Sequence, residues 1–377
     1  MPSKRAFTKR LAALAATGLG VGGPIDSLTA TQSSDATPAT ESTPTGTAAP
    51  DDEAASGRAV TGADGARSAV AAGEYDPTAT ASGAVDTVVA GRMDPAVLAE
   101  TGLPSGFGGR LRRLLGRYQS ASLGGLRRAT GGAALTASGL EGCGVAVGEV
   151  NASGLVAELD ADPNVRREAD DGSGFTRFRA RSVGSAVAVA PGELVAAYAS
   201  TPAAAAEHRD AGVGHDRRRA GTSGSYGPLP ALLDGDAAVF VDLGPDGRGR
   251  LRRALADAPD GLRTAVDASS AVGASLTLTE GEAADGPESA DDAGGGPGRP
   301  SVALRYGAVA DPRRLDVETV DAVARAAREG ENSLSEATVS RSGRTVIVDA
   351  AAEGDLFASH ASLFGASVGD RIEVTDA

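Results

Sequence analysis

The chain has 377 residues, a length typical of two domains. Acidic residues outnumber basic ones by 50 to 36, which gives a formal net charge of −14. A protein with this charge repels nucleic acid and anionic lipid, so neither is expected as a bulk partner. Cys143 is the only cysteine, and an internal disulfide is therefore excluded.

Residues 1–30 have the layout of an export signal. A cationic stretch at residues 3–9, SKRAFTK, precedes a weakly apolar run at residues 11–23. This order is typical of exported proteins. The run is shorter than the roughly twenty apolar residues that a membrane span needs. We therefore expect no transmembrane span in the mature chain.

The cationic stretch resembles the twin-arginine export motif, Ser/Thr-Arg-Arg-x-Phe-Leu-Lys. The residues that match this motif are Ser3, Arg5, Phe7 and Lys9. Lys4 stands in place of the first arginine, and Thr8 stands in place of the leucine. The resemblance implies that the protein leaves the cytoplasm by the twin-arginine route.

The composition indicates the solvent to which the protein is adapted. Lys4 and Lys9 are the only lysines, so arginine supplies 34 of the 36 basic residues. Aromatic residues make up 3% of the chain, and tryptophan is absent. Many acids with almost no lysine resemble the composition of proteins from extremely halophilic archaea. This resemblance implies adaptation to high salt, where an acidic surface keeps the chain soluble by self-repulsion.

Residues 31–83 are dominated by Ser, Thr, Pro and Ala. Such a tract cannot bury enough apolar surface to offset its chain entropy, and we predict a disordered stalk. Ser/Thr with Pro is also typical of O-glycosylated stalks. A stalk between an export signal and a folded body favours an extracytoplasmic protein, either secreted or held at the cell surface. A cytoplasmic, salt-adapted protein with a disordered N-terminus is the alternative.

Residues 84–200 predict a first α+β unit. Alternating and apolar runs predict strands at 86–93, 144–150, 175–181, 186–190 and 194–198, and helices at 105–118 and 155–160. The Pro191-Gly192 pair predicts a tight turn. Asn151 begins the sequon Asn-Ala-Ser and is a candidate glycosylation site, with helix N-capping as its competing role.

Residues 201–229 are expected to form a connector, and residues 230–377 predict a second α+β unit. Its predicted strands are 236–242, 272–279, 302–309, 337–340 and 344–348, and its predicted helices are 249–257 and 317–328. An acidic, Gly-rich insertion lies at 280–300.

Both halves therefore follow the order strand, helix, strand, helix, paired strands. The hairpins also share local spelling, since Arg181-Ser182 and Arg341-Ser342 each precede a glycine. We expect an α+β fold of two related antiparallel sheet-plus-helix units, with a ferredoxin-like tendency, after a disordered N-terminal region. The rival expectation is one mixed sheet that runs across both halves.

Two common catalytic motifs are absent from the sequence: it contains no GxxxxGK[ST] and no HExxH. His208 and His215 lie in the predicted connector near Asp210 and Asp216, where a solvated loop is expected. A zinc site needs three or four converging ligands. Cys143 is expected to be a buried packing residue. We assign no catalytic, cofactor-binding or metal-binding residue.

These observations favour an exported or cell-surface, non-enzymatic protein with a binding or structural role. The sequence implies no cofactor, and it leaves the ligand or surface partner and the oligomeric state open. The alternative is an extracytoplasmic hydrolase of a kind that its motifs do not disclose. A pocket that unites His208 or His215 with a carboxylate and a serine would favour that alternative.

Overall fold

The structure is a computed structural model. It describes residues 75–101, 103–104, 117–120, 124–214, 226–254, 260–279, 301–311, 313–328, 335–352 and 371–372. The export motif residues Ser3, Lys4, Arg5, Phe7 and Lys9 lie outside the described residues. So do the acidic insertion at 280–300 and almost all of the helix predicted at 105–118.

The described residues of the first half contribute eight strands. They are β1 Val85–Met93, β2 Leu103–Pro104, β3 Leu126–Thr136, β4 Gly139–Gly148, β5 Val165–Arg167, β6 Thr176–Ala180, β7 Ser185–Ala190 and β8 Glu193–Tyr198. Three helices belong to the described part of the same half. They are α1 Ala96–Thr101, α2 Ala152–Ala161 and α3 Pro202–Val213. A 3-10 turn at Pro77–Ala79 precedes β1.

The second half contributes six strands and four helices to the described residues. The strands are β9 Ala237–Asp242, β10 Ser269–Thr279, β11 Ser301–Ala310, β12 Ser335–Ser342, β13 Thr345–Ala352 and β14 Arg371–Ile372. The helices are α4 Leu229–Leu232, α5 Pro245–Ala254, α6 Asp260–Ala268 and α7 Val317–Arg328. The Asp316 carboxylate accepts a hydrogen bond of 2.7 Å from the Thr319 backbone N–H, which is the predicted cap of α7.

Twelve of these strands form one continuous antiparallel sheet. Their order is β12-β13-β11-β10-β9-β1-β3-β4-β8-β7-β6-β5, while β2 and β14 form a separate pair. The two halves meet where β1 pairs with β9, with Ala90 opposite Phe240. The prediction of an α/β mixture built on antiparallel strands is confirmed, and the sheet runs across both halves.

The strand order is the same on both sides of the β1–β9 pair. Counted outward, the first half has β1, β3, β4, β8 and β7, and the second has β9, β10, β11, β13 and β12. In each half, the last two strands in sequence order are reversed in space. β8 therefore lies between β4 and β7, and β13 lies between β11 and β12. The first half differs in one respect, because β6 and β5 continue the sheet beyond β7.

Both faces of the sheet carry covering elements. We call the face that bears Cys143 and Phe240 the front face, since residues directly opposite in antiparallel strands share a side. In the first half the front face packs against α3, through Ala211 and Val213. In the second half the residues 226–233 cover it. On the back face α2 packs against β6 and β7, and α6 and α7 pack against β11 and β13.

Several parts of the chain differ from the sequence predictions, and α1, β5 and α6 are among the elements that were not predicted. The fold begins inside the predicted stalk, because Tyr75 is 5% exposed and Pro77 is buried. The predicted connector contains α3, which Thr201 caps and Pro202 begins. The long strand β3 was not predicted, because its run of small residues from Ala129 to Ala134 gave no apolar period. No helix in the described part of the chain is long and apolar enough to cross a membrane.

Candidate functional site

A buried cluster of polar side chains lies under α3 on the front face of the first half. Glu141 on β4 is 1% exposed and His208 on α3 is fully buried. The Tyr75 hydroxyl hydrogen-bonds His208 Nδ1. His208 Nε2 lies 3.7 Å from Glu141 Oε2. Three titratable side chains from three separate segments therefore meet in the interior.

Ser82 closes this cluster from the side of the loop before β1. Its backbone N–H donates to Glu141 Oε1 at 2.8 Å, and its hydroxyl donates to Glu141 Oε2 at 2.7 Å. Both bonds have a charged acceptor, which makes them stronger than neutral ones. The carboxylate thus holds the loop against the sheet, and the serine hydroxyl is bonded to Glu141 rather than to His208.

Burial sets the protonation of His208. It lowers the pKa of the imidazole, and the charge of Glu141 opposes that shift only in part. Burial also raises the pKa of Tyr75, so the phenol keeps its proton. The Glu141 carboxylate beside Nε2 favours the tautomer of the neutral imidazole that carries its proton on Nε2, which leaves Nδ1 to accept a hydrogen bond from the phenol. Nε2 makes no hydrogen bond within the described part of the chain.

Two glycines allow these segments to come this close. A Cβ on Gly132 would lie 2.4 Å from the Tyr75 carbonyl oxygen, and one on Gly212 would lie 2.5 Å from Cys143 Sγ. Real side-chain atoms do not approach at such distances. The missing side chains therefore let the segment at Tyr75 and helix α3 pack directly on β3 and β4.

A network of ion pairs ties α3 to strand β6. Arg209 is 2% exposed, and its guanidinium lies 2.6 Å from Glu168 and 2.7 Å from Asp210. It also donates to the carbonyl oxygen of Phe178 at 3.0 Å. Arg177 extends the network to Asp210 at 3.4 Å. This buried cation is fully compensated, as the cost of burying charge requires.

The second half carries an open cleft on the same face. Arg305 on β11 and Asp349 on β13 form an ion pair of 2.5 Å, with side chains 47% and 42% exposed. They line a cleft of about 390 Å³ together with Asp234, Ser275 and Thr277. Its walls offer carboxylates, hydroxyls and a guanidinium to solvent, in contrast with the sealed cluster of the first half.

The register of the sheet shows that Arg305 occupies the position in the second half that corresponds to Glu141 in the first half. Gly132 is opposite Ala90, and Gly273 is opposite Phe240. One strand further out, Gly132 pairs with Cys143 and Gly273 pairs with Gly307. Glu141 precedes Cys143 by two residues, as Arg305 precedes Gly307. The two sites therefore occupy matching points of the two halves.

The structure describes one of the two histidines in the predicted connector. His208 is buried in a helix, so the expectation of a solvated loop was wrong at this residue. Asp210 pairs with arginines, while His215 and Asp216 lie outside the described residues. The described residues contain no group of three or more metal-ligating side chains.

Two other residues are found in structural roles. Cys143 is 2% exposed and packs beneath α3, as predicted. Asn151 is the N-cap of α2, where its side-chain oxygen accepts a 3.1 Å hydrogen bond from the Gly154 backbone N–H. Its side chain is also exposed, which leaves the glycosylation hypothesis open to experiment.

Sequence reasoning missed Glu141, Tyr75 and Ser82. Tyr75 and His208 are 133 residues apart, so no local spacing relates them. A weak signal was present at His208, because Thr201-Pro202 is a helix start and small alanines follow it. That pattern predicts a helix, and the helix carries the histidine onto the sheet.

No protein-family model and no curated protein matches the chain. Among solved structures it is similar to crystal forms III, IV and I of TP0453, with identities of 12%, 10% and 10%. The matches cover 76%, 76% and 77% of this chain and 98%, 97% and 98% of the other. The TM-scores are 0.41, 0.38 and 0.39, a level of likeness that assigns no function.

Proposed function

We propose that the protein is an exported, non-enzymatic protein that acts outside the cytoplasm through a binding or structural role. The observation that carries the non-enzymatic part is the burial of Glu141 and His208. A general acid or base must reach the substrate proton within hydrogen-bond distance. These two groups instead anchor the loop at Ser82 and the segment at Tyr75, and they have no open face toward solvent.

Export is supported by the sequence. The cationic start at residues 3–9, the short apolar run behind it and the Ser/Thr-rich tract precede the body of the protein, whose described residues begin at Tyr75. The acidic composition fits a protein that works in brine. We propose that the mature protein begins with the Ser/Thr-rich tract and displays the sheet beyond it.

We further propose that the two halves are related copies of one unit. Two observations support this: the matching strand order, and the equivalent register positions of Gly132 in the first half and Gly273 in the second. Residues 132–136 are GAALT, and residues 273–277 are GASLT. Residues 75–77 are YDP, and residues 226–228 are YGP. The first pair lies within the corresponding strands β3 and β10, and the second pair precedes the corresponding strands β1 and β9.

The Arg-Ser spelling shared by the hairpins gives no such support. Gly184 lies between β6 and β7, whereas Gly343 lies between β12 and β13. The turn that corresponds to Gly343 is instead Pro191-Gly192, where Gly192 has a φ of +79°. The ferredoxin-like tendency stays a prediction, since the strand order does not confirm it.

The open cleft is our candidate for binding. Its carboxylates, hydroxyls and the Arg305 guanidinium suit a small polar ligand with both donors and acceptors. A thermal-shift screen of polar small molecules would test this, with the Arg305→Ala variant as the control. A ligand that stabilises the wild type and the variant equally does not bind at this cleft.

Export is tested by fractionation. Medium, envelope and cytosol of the source cells should be separated and the mature N-terminus sequenced. We expect the protein outside the cytosol with residues 1–30 removed. Intact chain confined to the cytosol, with Lys4 and Lys9 still present, would refute export.

A hydrolase is the second candidate, because Ser82, Glu141 and His208 do meet. The order of the contacts disfavours it, since the serine hydroxyl donates to Glu141 and the imidazole lies beyond the carboxylate. Activated ester and amide substrates should therefore give no turnover above background. Turnover that the Ser82→Ala variant abolishes would establish the hydrolase and overturn the leading proposal.

A further inference from the structure

The corresponding five-residue stretches of β3 and β10 differ at one position, and in the second half this position lines the open cleft. The stretch GAALT in β3 corresponds to GASLT in β10, so Ser275 stands where the first half has Ala134. Ala134 is opposite Glu141, and Ser275 is opposite Arg305. The second half therefore has a hydroxyl at the point where the sealed site of the first half has only a methyl group.

Ser275 is a buried polar residue whose hydroxyl is not used by the fold. It is 5% exposed and lines the cleft, yet its hydroxyl makes no hydrogen bond to a described residue. Thr277 lies two residues further along the strand and lines the same cleft, and its hydroxyl has no partner in the described part of the chain either. Leaving a buried hydroxyl unpaired costs free energy, and a ligand that hydrogen-bonds it removes that cost.

The charged groups of the cleft also keep unused hydrogen-bonding atoms. Arg305 donates from Nε to Asp349 and from Nη1 to the Leu232 carbonyl oxygen, which leaves Nη2 without an acceptor among the described residues. Asp349 uses Oδ1 for this pair, and Asp234 uses Oδ1 to accept from Arg92. The Oδ2 atoms of both carboxylates accept no hydrogen bond from the residues that the structure describes. The cleft thus offers a guanidinium donor and two carboxylate acceptors to a ligand.

The charges of the lining indicate the class of ligand. Asp234 and Asp349 outnumber the single guanidinium of Arg305, so the cleft repels a simple anion. A simple cation would leave Nη2 of Arg305 unused, and an uncharged polyol would gain nothing from the charges. A molecule with both an ammonium group and a carboxylate uses all of these atoms, because the ammonium donates to the carboxylates and its own carboxylate accepts from Nη2 and from the Ser275 hydroxyl.

We propose that the cleft binds a small zwitterion of the size of an α-amino acid, and that the Ser275 hydroxyl recognises its carboxylate. This proposal rests on the proposed binding function of the cleft and names the class of its ligand. The volume of about 390 Å³ is at the lower end of the range for small-molecule sites, which suits a ligand of this size. Salt at 1 M screens charges beyond about 3 Å, so direct charge-assisted hydrogen bonds persist in brine.

The ligand class is tested by calorimetric titration of the full chain, in concentrated salt, with a panel of neutral α-amino acids. For each amino acid that binds, two matched analogues are titrated in parallel: the amine that lacks the carboxylate and the acid that lacks the amine. Glycerol serves as the uncharged polyol. We expect saturable binding of at least one amino acid and at least about ten-fold weaker binding of both analogues, because each loses one set of charge-assisted hydrogen bonds.

Ser275→Ala introduces the residue of the first half and separates ligand recognition from stability. The dissociation constant of the amino acid should rise about ten-fold or more, the effect of one lost hydrogen bond. The melting temperature without ligand should stay unchanged or rise, because the hydroxyl that is lost has no partner among the described residues. The matched control is Ser270→Ala on the same strand. Ser270 donates to the Val309 carbonyl oxygen at 3.2 Å and does not line the cleft, so this variant should lose stability and keep its affinity.

The possible failures of this proposal and of the proposed function give different results. An amino acid that binds no more tightly than its matched amine or acid overturns the zwitterion proposal, and so does one that binds Ser275→Ala as tightly as the wild type. If no amino acid binds but another ligand is found whose binding Arg305→Ala weakens, the zwitterion proposal alone fails. If no probe of any class binds, the binding function of the cleft fails with it.

Discussion

The sites of Glu141 and Arg305 occupy the same register position in the two halves, yet one is sealed and the other is open. Glu141 is covered by His208 and by the loop at Ser82, while Arg305 and Asp349 stay about half exposed. In the interior an uncompensated charge is costly, so the partners of Glu141 are fixed. At the surface water screens the pair, and its contribution is small. One scaffold position can therefore anchor the fold or face solvent, depending on what packs above it.

The largest expected effect on stability comes from removing the charged side chain at each of the two sites, one variant at a time. Glu141→Ala deletes the acceptor of two charge-assisted hydrogen bonds, and we expect a loss of roughly 3 kcal/mol or more in the free energy of unfolding. Arg305→Ala should cost roughly 0–1 kcal/mol, because its ion pair is half exposed. Denaturant unfolding of both variants measures the difference. Equal losses would mean that the two positions do not differ as described.

The close packing over β3 gives the next effect. Gly132→Ala would place a Cβ 2.4 Å from the Tyr75 carbonyl oxygen and should cost about 1–3 kcal/mol, because the segment must shift. Gly83→Ala is the control, since nothing lies within 4 Å of its added Cβ. A Gly132→Ala protein as stable as this control would show that the segment at Tyr75 does not rest on the sheet.

Removing the hydroxyl from each of the two corresponding tyrosines, Tyr75 and Tyr226, should affect stability differently. Tyr75→Phe removes the hydroxyl that binds His208 and should cost about 1–2 kcal/mol. The Tyr226 hydroxyl is buried and has no hydrogen-bond partner among the described residues. Tyr226→Phe should therefore leave stability unchanged or raise it slightly. Thermal unfolding of the two variants under one condition decides this, and a stability loss for Tyr226→Phe would point to a partner for its hydroxyl.

The smallest effect is the pH dependence of the sealed site. The pKa of His208 is lowered in the folded state by burial, so the unfolded chain binds the proton more readily. The stability that depends on a neutral imidazole is fully present above the unfolded pKa of about 6.5 and is lost as the pH falls below it. The wild type should lose more stability than His208→Gln between neutral and mildly acidic pH. Parallel melting curves for the two proteins would contradict the lowered pKa.

Several elements could be predicted because their signals are local. Helix α7 has the predicted bounds, since Asp316 caps it and Val320 lies on its buried side. The hairpin of β7 and β8 follows from alternating residues around Pro191-Gly192. Strand β3 escaped prediction because Gly131 and Gly132 give it no apolar alternation. Helix α3 was not predicted because four alanines are followed by the polar run from Glu207 to Asp210, and this order gives no amphipathic period.

The amino-acid sequence by itself determined the acidic, lysine-poor character of the chain, the antiparallel strands and the repeated order of elements in the two halves. These properties depend on composition and on short-range periodicity, which are fully written in the chain. Tertiary structure alone decided that β1 and β9 join the halves in one sheet and that Glu141 meets His208 and Tyr75. Contacts between residues so far apart arise from packing, and the burial that fixes their protonation exists only once the sheet and α3 have come together.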